Sequence, residues 1–569
     1  MCTERCLIPP SPQLRARIDR ELAEIREQTE LIGPMVRVIQ PKRPGLNDGL
    51  ILPGNYFPIG TPLERVRSEA AERAPLRGPV RIVVVLAEFD DCPLEPEHNK
   101  AYYERLFFSR GELPDGSVRE YYAEVSHGMI DIVGEVIGPY RPKLSLRSYA
   151  NGESGVGSAE PNARTMARHI AELANVDFDF STYDNDGNGF VDAYIVIHAG
   201  GGAEETGSAH DIWSHKWVLP GGEYNADGVR IYAYLTVPED ARIGVCCHEL
   251  GHLLFGWPDL YDTDSSSEGL GNWCLMAGGS WNGMGDLPAH PSAWCKAEQA
   301  WVTVVNHTSA ATLSIPDVKD SHTVHRLWKH GVQGNEYFLL ENRQRRNFDR
   351  GLPGDGMLVY HVDNAVSTNA DERHPKVGLL QADGAEHLNT AANRGDPGDP
   401  FPGTSRNRTI NATSRPNTRA YGGLATEVSI TDISDSASVM TARIAVRSKV
   451  VVKKRRMSFW DLFRAPQPIQ AALLEQFSGN PVVAERIMQE LQQPQGQLPF
   501  TSGGFPWTSA YGFGNLLAHN RFDPTFVEWA RATEQRLTQI ENLLSLLRPE
   551  VEEVMVGEGT EPFDPNERT

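Results

Sequence analysis

The sequence contains no run of about eighteen apolar residues, so no membrane-crossing helix is expected. Its opening, Met-Cys-Thr-Glu-Arg-Cys-Leu-Ile-Pro-Pro, has no apolar core of the length a signal peptide needs. The expectation is therefore a chain that is cytoplasmic as synthesised. Cysteine is scarce, with seven in 569 residues (Cys2, Cys6, Cys92, Cys246, Cys247, Cys274 and Cys295) and none beyond position 295. That odd, irregular set excludes a small disulfide-stapled framework, and most of these thiols are expected to be reduced and buried. Basic charge is also short. With 54 Lys and Arg against 75 Asp and Glu the formal net charge is −21, which disfavours nucleic acid and anionic membranes as partners. No repeat period is evident.

What is present is globular in character, with 40% hydrophobic and 8% aromatic residues. The length points to about three or four folding units. An acidic balance suits a protein that holds divalent cations, whose sites consume carboxylates; an ordinary acidic soluble protein shows the same number.

Four regions are distinguishable. Residues 1–74 form an N-terminal lead-in, with a charged amphipathic helix expected over 11–32 behind the Ser11-Pro12 start signal and an extended Pro/Gly-rich stretch after it. Residues 75–305 alternate strand and helix patterns. Val80–Phe89 reads as a buried central strand, Met129–Val136 and Val191–His198 as further strands, and Glu160–Ala174 and Arg242–Phe255 as helices. An α+β unit is expected there. Over 306–448, short alternating runs such as Glu336–Glu341, Gly356–Val362 and Val439–Val446 lie between Gly, Pro, Asn and Asp clusters, which predicts an antiparallel β-sandwich. The basic cluster Lys453–Arg456 opens a linker and helical C-terminal extension over 449–569. Within it, 524–547 carries an apolar heptad seam suited to packing on its own domain or on a partner helix.

The chemistry concentrates at His248-Glu249-Leu250-Gly251-His252. Residues four apart share a helix face, so both imidazoles can reach one tetrahedral zinc. Glu249 stands beside that face, placed to take a proton from an attacking water. A catalytic zinc needs a third protein ligand. Gly256 can end the helix and turn the chain, after which Asp259 supplies an oxygen, with Asp262 as the alternative. Met276, in the tight stretch 271–283, can floor the imidazoles.

The order HExGH, Gly, Pro-Asp-Leu-Tyr-Asp, then Leu-Met-x-x-Gly-Ser-Trp-Asn-Gly, resembles the immune-inhibitor-A-like zinc metallopeptidases, a metzincin-related family with aspartate as third zinc ligand. Tyr121–Gly128, Asp211–Lys216, Glu341–Gln344, Tyr360–Asp363 and Gly398–Gly403 fit the same resemblance, which covers about 75–448. It implies a zincin/metzincin-like fold, zinc-dependent endopeptidase activity on proteins, bound calcium and secretion, the last by another route than a visible signal. Gly256 and Asp259 lie four and seven residues after His252, one residue later than in the family pattern, and Gly278 stands where metzincins carry a tyrosine.

Asp184, Asp186 and Asn188, with the Phe190 carbonyl and Asp192, form a calcium-loop pattern, with Gly189 at the sharp turn. Position twelve is Ile195 and a strand follows, so this is not an EF-hand. Glu204 and Glu205 offer further oxygens. Cys6, ahead of the catalytic region, can donate a thiolate to the zinc and hold the enzyme as a latent zymogen, or be an incidental thiol. Cys246 and Cys247 face the apolar side of their helix. Two alternatives to a working peptidase remain. One is an inactive peptidase scaffold that binds through its sandwich and C-terminal helices; the other is a metallohydrolase acting on a non-peptide bond.

Overall fold

The computed structural model describes residues 6–17, 20 and 76–447. Cys2, the rest of the lead-in, the 453–456 cluster and the 524–547 seam lie outside the described residues.

The centre is a six-stranded mixed sheet in the order β1-β5-β8-β4-β2-β3. Its strands are β1 (Cys6–Leu7), β2 (Gly78–Ala87), β3 (Ile130–Tyr140), β4 (Tyr194–His198), β5 (His215–Val218) and β8 (Ala233–Pro238). Strands β6 (Tyr224–Ala226) and β7 (Val229–Ile231) make a separate hairpin. The pairs β2/β3, β2/β4 and β4/β8 are parallel, whereas β5 runs antiparallel to β8 and β1 antiparallel to β5. The sequence expectation for 75–305 holds in outline.

Successive side chains of a strand point to opposite faces. Along β2, Ile82, Val84 and Leu86 therefore enter one core and Val83, Val85 and Ala87 the other. Burial on both faces explains why the run reads as continuously apolar. The first core is closed by α1 (Lys100–Phe108), α2 (Val118–Val125) and α4 (Ile243–Phe255), the second by α3 (Ala163–Ala174). Ser117 caps α2 in a capping box with Glu120, and Asn162 caps α3.

Helix α4 is buried along its whole length. It ends at Gly256, whose φ of 63° is the left-handed conformation that glycine adopts without steric cost. At its start, Gly244 packs directly on the backbone of the 278–285 turn.

Two further sheets follow. One has the order β14-β13-β12-β11-β9, formed by β9 (Thr303–His307), β11 (Thr323–Trp328), β12 (Glu336–Arg343), β13 (Gly356–Asp363) and β14 (Val377–Leu379). The other has the order β10-β16-β15, formed by β10 (Ala311–Pro316), β15 (Val428–Thr431) and β16 (Val439–Val446). They share a core that includes Ile315, Leu340, Val359, Ile430 and Met440. The expectation of purely antiparallel pairing fails at one place. Strand β9 pairs with β11 in parallel, because the chain returns through β10, in the other sheet, before β11 begins.

A buried charge network ties these sheets to the region before residue 305. Lys296 Nζ donates to Glu341 at 2.9 Å, and Arg343 pairs with Glu341 and Asp349, all within the core. Unpaired, such charges would be costly to bury, so each carries its partner inside.

Candidate active site

Helix α4 presents His248 and His252 one turn apart on a fully buried face. Their Nε2 atoms are 3.0 Å from each other. Asp259, delivered by the turn after Gly256, places Oδ1 3.2 Å from His248 Nε2 and 3.0 Å from His252 Nε2. Three donors thus converge. Donors about 2.0–2.1 Å from a tetrahedral zinc stand roughly 3.3 Å apart, so this set fits that ion.

The other ring nitrogens support the same reading. His248 Nδ1 is 2.9 Å from the Leu275 carbonyl and His252 Nδ1 2.6 Å from the Trp257 carbonyl. A carbonyl only accepts, so each Nδ1 carries a proton and each Nε2 keeps its lone pair, as ligating histidines require. Burial lowers the His248 pKa against the opposing pull of Asp259. Burial pushes Asp259 upward, but the two imidazoles outweigh it and hold the carboxylate below its ordinary range.

Glu249 is fully buried, and neither carboxylate oxygen has a hydrogen bond among the described residues. Burial first, then the charges of Asp259 and Glu204, push it well above the ordinary carboxyl value; the charge of Lys216 only partly opposes this. Met276 is buried, and a Cβ on Gly251 would stand 2.7 Å from its Sδ, which explains glycine inside the motif.

Asp262 is elsewhere. Its carboxylate accepts from the Asp264 and Ser267 amides and the Ser266 hydroxyl, and so caps its own turn. Cys6 is buried, and its sulfur lies with the His252 and Asp259 donor atoms inside a group spanning at most 4.8 Å. Cys246 and Cys247 are buried in the core, and burial raises both thiols.

Asp184, Asp186 and Asp192 form a second group of donors. Its loop is organised by the Asn188 and Gly189 amides donating to Asp184, the Asn185 amide donating to Asp192, and the Phe190 amide donating to Asn188 Oδ1. Gly187 and Gly189 both adopt positive φ. Glu204 instead lies against Ser214, and burial raises its pKa to about 7. Asp383, His387 and Asp396 form a third, half-buried group that sequence reasoning missed.

Sequence reasoning also missed Tyr261. Its ring centroid lies 6.4 Å from that of His248, and its hydroxyl donates to the Leu7 carbonyl at 2.7 Å. Burial, then the Asp259, Glu249 and Cys6 charges, raise its phenol well above the usual value. The available signal was its place two residues after Asp259.

A mixed sheet with an antiparallel edge strand, and a buried helix offering two imidazoles beside a carboxylate, define a catalytic domain of metallopeptidase type. Residues 81–305 match the family model described as immune inhibitor A peptidase M6, catalytic domain. The chain is 31% identical over 268 residues to a protein named Pre-pro-metalloprotease PrtV of Vibrio cholerae, which is 38% of this chain and 29% of that protein. It is 30% identical over 271 residues to Immune inhibitor A of Bacillus thuringiensis subsp. alesti, which is 38% of this chain and 39% of that relative. The match thus spans well under half the length of either relative. No helix among the described residues is long and apolar enough to cross a membrane.

Proposed function

We propose that this protein is a zinc-dependent endopeptidase that hydrolyses peptide bonds of proteins, with His248, His252 and Asp259 as zinc ligands and Glu249 as general base. The observation that carries the reading is the convergence of three buried donor atoms at 3.0–3.2 Å beside a carboxylate that has no hydrogen bond among the described residues. Zinc, when bound, supplies Lewis acidity that polarises a peptide carbonyl and makes a water easier to deprotonate. Glu249 then takes the water's proton and passes it to the leaving amine. Leu275 and Trp257 hold the imidazoles in the ligating tautomer, and Met276 keeps their floor dry.

Three finer assignments belong to this proposal. Calcium occupies the loop Asp184, Asp186, Asn188, Phe190 and Asp192, where its role is stability. Residues 1–74 form a pro-segment that keeps the enzyme latent, with Cys6 at the metal. The sheets over 306–448 form a sandwich domain that follows the catalytic domain at 75–305 in the chain; the linker and helical extension expected over 449–569 lie outside the described residues.

Metal analysis of His252→Ala tests the ligand set: zinc should be largely lost, and stoichiometric zinc would sink it. A digest of a denatured proteome by the zinc-loaded protein, with and without a zinc chelator, tests the activity. Cleavage that persists unchanged in chelator would refute the metal's role. Absence of cleavage by an unmasked, zinc-loaded enzyme would favour a binding protein on a peptidase scaffold.

A further inference from the structure

Strand β1 ends beside the metal donors, and the residues after it leave the sheet along a defined track. The Ile8 amide still donates to the Ser214 carbonyl at 3.2 Å, extending the antiparallel pairing with β5. Beyond Ile8, Pro9 and Pro10 have no amide to donate. The carbonyls tell a different story, because four in succession are each met by a side-chain donor. Tyr261 Oη donates to Leu7 O at 2.7 Å, Trp213 Nε1 to Ile8 O at 2.8 Å, Trp281 Nε1 to Pro9 O at 2.8 Å, and Arg394 Nη2 to Pro10 O at 3.3 Å. The Ser11 amide then donates to the Glu204 carbonyl at 2.9 Å, where the segment turns into its helix.

On this segment the four donors meet only main-chain oxygens, which every peptide possesses. Three of them belong to the frame of the site: Trp213 precedes strand β5, Tyr261 follows Asp259, and Trp281 follows Met276. The fourth, Arg394, comes from the loop between β14 and β15, in the region of the second pair of sheets. Glu268 holds it in place, with its carboxylate 3.3 Å from Arg394 Nε and its other oxygen 3.5 Å from Arg15.

We infer that Tyr261, Trp213, Trp281 and Arg394 form a carbonyl-reading track that binds the substrate chain over four residues on the C-terminal side of the residue facing the metal. The inference rests on the endopeptidase reading and specifies its substrate as an extended segment. The track accepts proline at its third and fourth positions, since it asks nothing of the amides there. Cleavage near a protein's C-terminus is disfavoured, because the last donor then finds no carbonyl. The region after 305 thereby completes the cleft through Arg394.

The test uses full-length, zinc-loaded protein carrying Cys6→Ala and two fluorogenic peptides, one ending two residues past the cleaved bond and one ending five past it. The protein's own segment competes equally with both, so it cancels in the ratio of their kcat/KM values. Arg394→Met should lower the long-to-short ratio about tenfold, through KM, as loss of one charged donor implies. Trp281→Phe keeps a ring in the core and should lower the ratio by a smaller factor. An unchanged ratio in both variants overturns the substrate track. A second readout, needing no hydrolysis, is the alkylation rate of Cys6 by a maleimide in otherwise unaltered protein. Either variant should raise it several-fold, and an unchanged rate overturns the carbonyl contacts themselves. Faster alkylation in a protein that cleaves neither peptide would retain a peptide-binding track while the endopeptidase reading fails.

Discussion

Gly244→Ala should destabilise the catalytic domain although alanine is the better helix former. Gly244 is the second residue of α4, and a Cβ there would stand 2.0 Å from the Ser280 carbonyl oxygen and 2.9 Å from that of Gly285. Reaching an ordinary contact near 3.5 Å requires the helix and the 278–285 turn to part by roughly 1.5 Å. The turn cannot yield cheaply, because Asn282 Nδ2 bonds the Asn272 carbonyl at 2.9 Å and the Leu287 amide bonds the Asn282 carbonyl at 3.0 Å. Helix propensity favours alanine by at most about 1 kcal/mol. Overpacking against fixed backbone costs about 1–3 kcal/mol or more, so the clash prevails and a net loss near 2 kcal/mol is expected. The same displacement moves α4, and with it His248 and Glu249, relative to the turn that follows Met276. Misplacement by about 1 Å commonly costs around 10²-fold in rate, and peptide hydrolysis should fall on that scale. The assay is urea unfolding followed by tryptophan fluorescence, alongside hydrolysis. Gly334→Ala is the control, since its Cβ would meet nothing nearer than 4.0 Å. Parental stability and turnover in Gly244→Ala would refute the packing account.

Cys6→Ala should raise hydrolysis without proteolysis, and a chain beginning near Leu76 should be more active still, because the carbonyl contacts persist in the point variant. Equal activity in all three proteins would leave latency unsupported. Melting should fall in a calcium-selective chelator, since a cation bound only to the folded state stabilises it by mass action, and Asp186→Ala should abolish that sensitivity. Melting indifferent to calcium reduces the loop to a turn. Glu204, raised from 4.5 to about 7, holds its proton more tightly folded than unfolded. Stability from this group is therefore greatest at low pH and is lost as pH rises from about 4.5 to about 7, by at most about 3 kcal/mol. Glu204→Gln should flatten stability against pH across that window, and an unaltered slope would contradict the assignment.

Local pattern carried much of this site. The buried run of β2, the helix α4 and the alternating residues of β16 were legible because period and composition sit within one segment. The i, i+4 histidines and the Gly256 turn placed Asp259, and glycine spacing outlined the 184–192 loop. Strands β5 and β8 were not picked out, being four and six residues long with no period to distinguish them. The parallel β9/β11 pairing depends on which sheet β10 joins, which no local pattern encodes. The carbonyl track was illegible for the same reason. Tyr261, Trp281 and Arg394 meet their partners across 254, 272 and 384 residues, and each looks like ordinary core or surface until the chain closes. Residue 278 is glycine where metzincins carry tyrosine, while Tyr261 reaches the site from another loop.

The central claim is that Glu249 does the proton chemistry beside a metal it does not hold. Zinc content and peptide hydrolysis should therefore be measured together on Glu249→Gln and the parent chain, each with the N-terminal segment removed. The account predicts about one zinc per chain in both, with hydrolysis by the variant down by about 10²-fold or more. Parental turnover in the zinc-loaded variant would contradict it, and so would loss of zinc from the variant alone.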